Sequence, residues 1–186
     1  MKKSEENFKH ELLKCDKLFL EKKYQNAIEE YKKLLESNPN TQIIFLKLAS
    51  IYQVIGNFNE AIDYYIKASN LDKKNIDLLN NIAHLYFHVN DYSLAKNFYK
   101  KSLDIKKDQL IVIEFYVDCL NLLGIHKEIY NFLKNVINKT PNNKFLNRIF
   151  GRSLIALNKH KEGLEYLRKG SGFIVFQDEK IRYINK

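Results

Sequence analysis

Hydrophobic and small residues between residues 42 and 75 recur with the spacing of two amphipathic helices joined by a Gly-Asn turn. Ala49 and Ala61 lie where the two helices must approach each other closely, and the rings of Phe58 and Tyr65 fill the space beside them. A pair of helices this short cannot bury both of its faces, so it needs neighbours stacked on either side. The pattern therefore predicts one repeat of a longer helical stack.

The same pattern returns along the chain at a constant step, without insertion or deletion. The position of Tyr65 holds a large residue in every repeat, and the position of Ala61 mostly holds a small one: Tyr31, Tyr99, Leu133 and Leu167, and Ala27, Ala95, Ile129 and Gly163. Pro39 and Pro141 share one position three repeats apart, where a helix has just ended. The sequence therefore predicts five repeats over residues 8–41, 42–75, 76–109, 110–143 and 144–177.

The middle repeats carry the motif Leu48-Ala49-x-x-Tyr52, Gly56, Phe58-x-x-Ala61 and Tyr65-x-x-Ala68. This motif resembles the tetratricopeptide-repeat family, whose repeats are about 34 residues long. Repeats four and five depart from it, at Ile129, Gly163 and Gly170. The resemblance implies an all-α fold, a right-handed α-solenoid of stacked helix-turn-helix repeats. We expect it to form one domain over residues 1–177, followed by a tail at 178–186.

Composition favours a cytoplasmic protein. Of 186 residues, 45% are hydrophobic, which is enough for a continuous core, yet no apolar run has the length of about 18 residues that a membrane span needs. The N-terminus lacks the apolar stretch of a signal peptide. Cys15 and Cys119 lie in different repeats, outside any metal-binding spacing, so we expect two buried thiols and no cofactor.

The chain changes character after the last predicted helix. Residues 170–172 read Gly-Ser-Gly, and the apolar stretch that begins at Phe173 favours a β conformation. Three interpretations stay open: the tail covers the exposed end of the fifth repeat, it pairs with a partner or a second copy, or it is disordered.

The resemblance also places function on the concave surface formed by the first helix of each repeat, where proteins of this family bind a peptide in extended or helical form. Equivalent positions in this chain include Leu13, Asp16, Ile43, Lys47 and Ile111. We expect a protein partner, a peptide or an amphipathic helix, to contact a groove of apolar anchors and polar groups: Phe19, Leu46, Asn80, Asn81, His84, Phe87, Phe115, Asp118, Arg148 and Arg152.

Some members of the family bind the acidic tail of chaperones through a clamp of Lys, Asn and Arg residues on three successive repeats. The equivalent positions here match poorly in either of two alignments, because only Asn81 fits the clamp: Leu12, Asp16, Lys47, Asp77 and Asn81, or Leu46, Ser50, Asn81, Ile111 and Phe115. We therefore expect that this carboxylate clamp is not present.

Polar residues of the predicted groove also have simpler interpretations. His84 and His88 are four residues apart on one helical face, a spacing that can bind zinc with a third ligand, but solvated groove residues or hydrogen bonds to a partner are more usual. The acidic pair Glu114 and Asp118 faces the same groove as two arginines of the next repeat, Arg148 and Arg152. We expect these four side chains to form an ion-pair cluster between repeats, with recognition of a charged partner residue as the alternative.

Catalysis has no sequence signature here. The six glycines form no phosphate-binding loop, and no nucleophile is placed beside a His and an acid, so we expect no enzyme. Residues 144–186 contain ten Lys and Arg but only four Asp and Glu, which makes nucleic-acid binding at this basic end an alternative. The sequence favours a non-enzymatic scaffold or adaptor that binds proteins, with assembly through the apolar tail as a second alternative.

Overall fold

The computed structural model describes residues 2–171, 174–177 and 180–183, with side chains from residue 6 to residue 171. These residues form ten helices and two short strands: α1 Lys2–Leu20, α2 Tyr24–Ser37, α3 Gln42–Val54, α4 Phe58–Leu71, α5 Ile76–His88, α6 Tyr92–Ile105, α7 Leu110–Leu122, α8 His126–Lys139, α9 Lys144–Ala156, α10 His160–Ser171, β1 Ile174–Gln177 and β2 Lys180–Tyr183.

The chain divides into two compact units. Unit 1 spans Met1–Ile105 and contains α1 to α6, whereas unit 2 spans Lys106–Lys186 and contains α7 to α10 with both strands. In unit 1, α1 packs on α2, α3 on α4 and α5 on α6; in addition, α2 contacts α3 and α4 contacts α5. In unit 2, α7 packs on α8, α9 packs on α10, and both α7 and α8 contact α9.

Helix bounds follow the period of the sequence. The first helices of successive pairs begin at Gln42, Ile76, Leu110 and Lys144, and the second helices begin at Tyr24, Phe58, Tyr92, His126 and His160, so both series advance by the same constant step. This spacing is consistent with the predicted division into five repeats, whose boundaries stay a prediction.

The turn inside each helix pair repeats with the same step. A residue in this turn adopts a left-handed backbone conformation in all five pairs, at Lys22, Gly56, Asn90, Gly124 and Asn158. The backbone amides of this residue and of the next one close each helix end; for example, the Gly56 N–H donates to Gln53 O at 3.2 Å and the Asn57 N–H donates to Tyr52 O at 2.8 Å. This pair of hydrogen bonds is the Schellman motif, in which glycine is the favoured residue because a Cβ opposes positive φ.

The first pair therefore contains a residue that its turn disfavours. Lys22 has φ of 58°, and its side chain is exposed. We expect Lys22→Gly to raise the free energy of unfolding of unit 1 by about 0.5–1 kcal/mol, because glycine relieves the left-handed strain. Urea unfolding followed by circular dichroism measures this change. Lys22→Ala is the matched control and should have little effect, and an equal gain with alanine would contradict the backbone explanation.

Small residues are buried where the helices of unit 1 cross. Ala27, Ala49, Ala61, Ala83 and Ala95 are all fully buried. Because a methyl side chain lets two helix axes approach, the large residues beside the crossing can enclose it, and tyrosines are buried at that place in the three repeats of this unit: Tyr31, Tyr65 and Tyr99.

The last helix pair packs more closely still. A Cβ added to Gly151 on α9 would lie 2.6 Å from Leu167 Cγ and 2.8 Å from the carbonyl oxygen of Gly163 on α10. Gly170 lies in the last turn of α10, where a Cβ would be 2.7 Å from the backbone nitrogen of Arg148. Gly151 and Gly170 are thus needed for the close approach of α9 and α10, and Gly170 is one of the positions by which repeat five departs from the family motif.

Two strands follow α10. β1 pairs antiparallel with β2, in a register that sets Ile174 opposite Tyr183 and Phe176 opposite Ile181. The preference of this stretch for β conformation is therefore confirmed over Ile174–Gln177. Gly172, Phe173, residues 178–179 and residues 184–186 lie outside the described residues, so the three interpretations of the tail stay open.

Candidate interaction surface

The first helices of each unit carry the residues predicted to bind a partner. We call the surface of α1, α3 and α5 the first-helix face of unit 1, and the surface of α7 and α9 the first-helix face of unit 2. In unit 1 this face includes five half-buried predicted residues and one exposed residue: Phe19, Leu46, Asn80, His84 and Phe87, and Asn81. Two of the rings pack on neighbours of their own repeat, Phe19 against Tyr24 and Phe87 against Tyr92.

Aliphatic side chains on the same faces are exposed to solvent. The exposed fraction is 66% for Leu13 on α1, 41% for Ile43 on α3 and 66% for Ile111 on α7. Several exposed apolar groups on one set of helices are typical of a surface that binds another protein. These aliphatic residues are stronger candidates for partner contact than Phe19 or Phe87, whose rings are partly covered by their own repeat.

Three buried tyrosines of unit 1 form hydrogen bonds with polar side chains of this face. Each tyrosine lies on a second helix and makes a hydrogen bond with a side chain of the first helix in its own repeat. The distances between the tyrosine oxygen and its partner atom are 2.5 Å for Tyr31 and Asp16 Oδ1, 3.1 Å for Tyr65 and Gln53 Oε1, and 2.6 Å for Tyr99 and His84 Nδ1. These hydrogen bonds were not predicted from the sequence, although the repeating tyrosine position and a polar residue 15 or 12 positions earlier are visible there.

Asp16 also joins two repeats. The Lys47 ammonium on α3 lies 2.6 Å from Asp16 Oδ1 on α1, while the Tyr31 hydroxyl donates to the same carboxylate oxygen. Burial, with the hydrogen bond to Asp16, raises the pKa of Tyr31, so its hydroxyl remains protonated and donates. The charge of Asp16 is therefore compensated inside unit 1, and Lys47 is committed to its own chain rather than to a partner carboxylate.

His84 has a structural contact in addition to its predicted role. Its Nδ1 atom lies 2.6 Å from the Tyr99 hydroxyl, and burial lowers its pKa, so the ring is neutral at pH 7. Neighbouring His88 packs instead against the ring of Phe58, with 4.4 Å between ring centroids. Within the part of the chain that the structure describes, no group of three His, Cys, Asp or Glu side chains could hold a metal ion.

The first-helix face of unit 2 has a different charge arrangement. Phe115, Asp118 and Arg148 are half-buried, and Arg152 is exposed. The guanidinium of Arg148 lies over the Phe145 ring, with 5.6 Å between Cζ and the ring centroid. Burial raises the pKa of the Asp118 carboxyl, the nearby Glu114 carboxylate raises it further, and the Arg152 guanidinium opposes both.

The predicted ion-pair cluster is not formed as direct contacts. Among residues 6–171, no ion pair within 4.0 Å joins Glu114 or Asp118 to Arg148 or Arg152. The period of the repeats correctly placed the acidic and basic pairs on adjacent first helices, but it could not determine whether the side chains reach each other. Arg152 acts on Asp118 through its field, without a salt bridge.

The pairs of helices, their repeated turns and their alternation of first and second helices define a helical-repeat protein of the α-solenoid class. Two models of the family described as "Tetratricopeptide repeat" match the chain, one over residues 40–108 and one over residues 18–41. Residues 18–108 thus match the tetratricopeptide-repeat family, and the fold is the predicted right-handed α-solenoid of helix-turn-helix repeats.

Curated relatives that contain tetratricopeptide repeats are much longer than this chain. The chain is 33% identical over 99 residues to small glutamine-rich tetratricopeptide repeat-containing protein 2 of Mycosarcoma maydis, a match that covers 52% of this chain and 28% of that protein. It is 32% identical over 111 residues to the DnaJ homolog subfamily C member 3 homolog of Dictyostelium discoideum, covering 57% of this chain and 22% of that one. The chain thus spans less than a third of the length of these relatives.

Solved structures show the same fold at low identity. A crystal structure of MamA protein superposes with a TM-score of 0.71 at 20% identity, covering 89% of this chain and 90% of that chain. The crystal structure of YrrB, described as a tetratricopeptide-repeat protein with an unusual peptide-binding site, superposes with a TM-score of 0.65 at 18% identity, covering 84% of this chain and 80% of that one.

Tetratricopeptide-repeat proteins are generally scaffolds for protein interactions and are typically not enzymes. No helix among the described residues has the length and apolar character that crossing a membrane requires.

Proposed function

We propose that this chain is a non-enzymatic adaptor of the cytoplasm that binds a peptide or an amphipathic helix of a partner protein on its first-helix faces. The observation that carries this proposal is the exposure of aliphatic side chains on α1, α3 and α7, at Leu13, Ile43 and Ile111. Exposed apolar residues on the surface used by the family favour burial against an apolar partner side chain.

Each face combines this apolar surface with polar groups that could orient a partner backbone. In unit 1, Leu46 and Phe87 supply half-buried apolar area, and Asn81 has an exposed amide. In unit 2, Phe115 has the same role beside the charged residues Asp118 and Arg152. Apolar contacts would supply most of the binding free energy, and the polar groups would determine the position of the partner along the helices.

Peptides selected by phage display against the wild-type chain test this proposal. We expect Leu13→Ala with Ile43→Ala, or Ile111→Ala alone, to weaken the binding of at least one selected peptide by about tenfold or more, because these exposed side chains would be buried against the peptide. Fluorescence anisotropy with labelled peptides measures the dissociation constants, and circular dichroism checks that helix content is unchanged.

Leu94→Ala is the matched control, since Leu94 is an exposed leucine on the second helix α6. This variant should bind every selected peptide like the wild type. Peptides that lose affinity with Leu94→Ala, but keep it in all first-helix variants, would place the binding surface on the second helices and contradict the proposal.

A further inference from the structure

The charge of Asp16, on the first-helix face of unit 1, is neutralised by the chain itself. The Asp16 carboxylate accepts a hydrogen bond from Tyr31 and forms an ion pair with Lys47, both at about the shortest distances such contacts adopt. One partner comes from the second helix of the same repeat and the other from the next first helix. A carboxylate satisfied in this way has little to gain from a partner protein.

The equivalent position of unit 2 lacks both partners. Asp118 occupies the Asp16 position three repeats later, where the positions of Tyr31 and Lys47 hold the buried aliphatic residues Leu133 and Ile149. Within residues 6–171, no hydrogen bond or ion pair involves the Asp118 side chain. Because Leu133 and Ile149 occupy the positions of Tyr31 and Lys47, the Asp118 carboxyl has neither a hydrogen-bond donor nor a cation in direct contact among the described side chains.

Acidic and basic residues of unit 2 lie on separate first helices. Glu114 and Asp118 are four residues apart on α7, and Arg148 and Arg152 are four residues apart at the same positions of α9. Residues with this spacing share one helical face, so each helix carries two like charges side by side. Lys144 extends the basic row of α9 by one further turn and is exposed.

This arrangement is unfavourable for the chain alone. Glu114 is close enough to raise the pKa of Asp118, while half-burial removes part of the solvent that would otherwise stabilise its charge. Arg152 reduces the effect but does not reach ion-pair distance. A cation brought to α7 and an anion brought to α9 would each gain electrostatic energy that water and the chain do not already provide.

We propose that the first-helix face of unit 2 binds a zwitterionic segment of a protein partner, with a Lys or Arg side chain against Glu114 and Asp118 on α7 and an Asp or Glu side chain against Arg148 and Arg152 on α9. This inference rests on the proposed function and specifies the charge pattern that the partner must carry.

A zwitterionic peptide fits this face better than a uniform polyanion does. Nucleic acid or an all-acidic peptide that approached Arg148 and Arg152 would also bring negative charge to Glu114 and Asp118 on the neighbouring helix. An all-basic peptide would meet the opposite repulsion at α9. Only a segment with positive charge at α7 and negative charge at α9 avoids a contact between like charges. Repulsion between like charges is how interfaces exclude wrong partners.

Three synthetic peptides of equal length test the inference with the full chain. They share the same leucine positions and differ only in their charged positions, which carry lysines in one half and glutamates in the other, glutamates throughout, or lysines throughout. At about 20 mM salt, where the Debye length is long, we expect the zwitterionic peptide to bind at least about tenfold more tightly than either other peptide. Raising the salt to about 200 mM should remove most of this difference.

Variants that each neutralise one charged residue then show which side chain of the protein contacts which charge of the peptide. Asp118→Asn should weaken the zwitterionic and all-lysine peptides and strengthen the all-glutamate peptide, whereas Arg152→Gln should do the reverse for the two uniform peptides. Glu165→Gln and Lys161→Gln are the matched controls, because these exposed residues lie on the second helix α10. Asp118→Asn should also leave the urea midpoint unchanged or raise it, since the amide is cheaper to half-bury than the carboxylate.

Several results would overturn the inference. Equal affinity for the three peptides, or no binding of any of them, would show that the inferred charge pattern of the partner is wrong. The proposed function would still be tested separately, by the phage-selected peptides and the alanine variants of the first helices. Heparin retention that Arg152→Gln abolishes and Asp118→Asn enhances would favour nucleic acid. Self-association in sedimentation velocity that either variant abolishes would identify a second copy of the chain as the occupant.

Discussion

Gly151→Val should lower the free energy of unfolding of unit 2 by roughly 3 kcal/mol. The first added carbon would already lie 2.6 Å from Leu167 Cγ and 2.8 Å from two backbone atoms of α10, the Gly163 oxygen and the Leu167 nitrogen. Backbone atoms cannot move aside as a flexible side chain does, so α9 and α10 must separate and leave their buried contacts less well packed.

Urea unfolding by circular dichroism measures the loss, and hydrogen exchange followed by mass spectrometry assigns it to α9 and α10. Ala156→Val is the matched control, because Ala156 is exposed on the same helix and its substitution should cost only about 0.5 kcal/mol of helix propensity. If Gly151→Val costs no more than this control, then the close approach of the two helices is wrong.

Tyr65→Ala should destabilise unit 1 by roughly 3 kcal/mol or more. The ring is buried between α3 and α4, so its removal leaves a cavity beside Ala49 and Ala61 that the rigid helix crossing cannot fill. Equilibrium urea unfolding followed by circular dichroism measures the change.

Tyr65→Phe separates packing from hydrogen bonding in this position. It removes only the hydroxyl that donates to Gln53 Oε1 at 3.1 Å, and should cost about 1 kcal/mol or less because Gln53 is exposed to solvent. A phenylalanine variant as unstable as the alanine variant would show that the hydrogen bond, and not the buried ring, stabilises this crossing.

Turn geometry shows how far local sequence predicts structure. Glycine at positions 56 and 124 marks a left-handed residue without further information, because glycine adopts positive φ at little cost. Lys22 in the equivalent turn gives no such local signal, and only the period of the repeats indicates that it has the same conformation. Lys22 thus adopts the left-handed conformation because of its position in the repeat, although a lysine disfavours that conformation.

The candidate surface was predicted less completely. The first-helix faces and their apolar residues followed from the period and the family resemblance, but the period does not specify side-chain rotamers. Asp16 and Lys47 form a contact at 2.6 Å, whereas Asp118 and Arg152, equally plausible from their charges and spacing, form no such ion pair. The two sites also differ in the second-helix residue beside the acid position, which is Tyr31 in one repeat and Leu133 in the other.

What the sequence alone determined is the architecture of this chain: its paired helices, the constant step between them and the buried small and aromatic positions. These features follow from hydrophobic periodicity, because each helix pair must bury two faces. Tertiary structure decided which polar groups are satisfied internally and how closely α9 approaches α10. Those properties depend on side-chain reach across helices, which is set by the packing of residues that are distant along the chain.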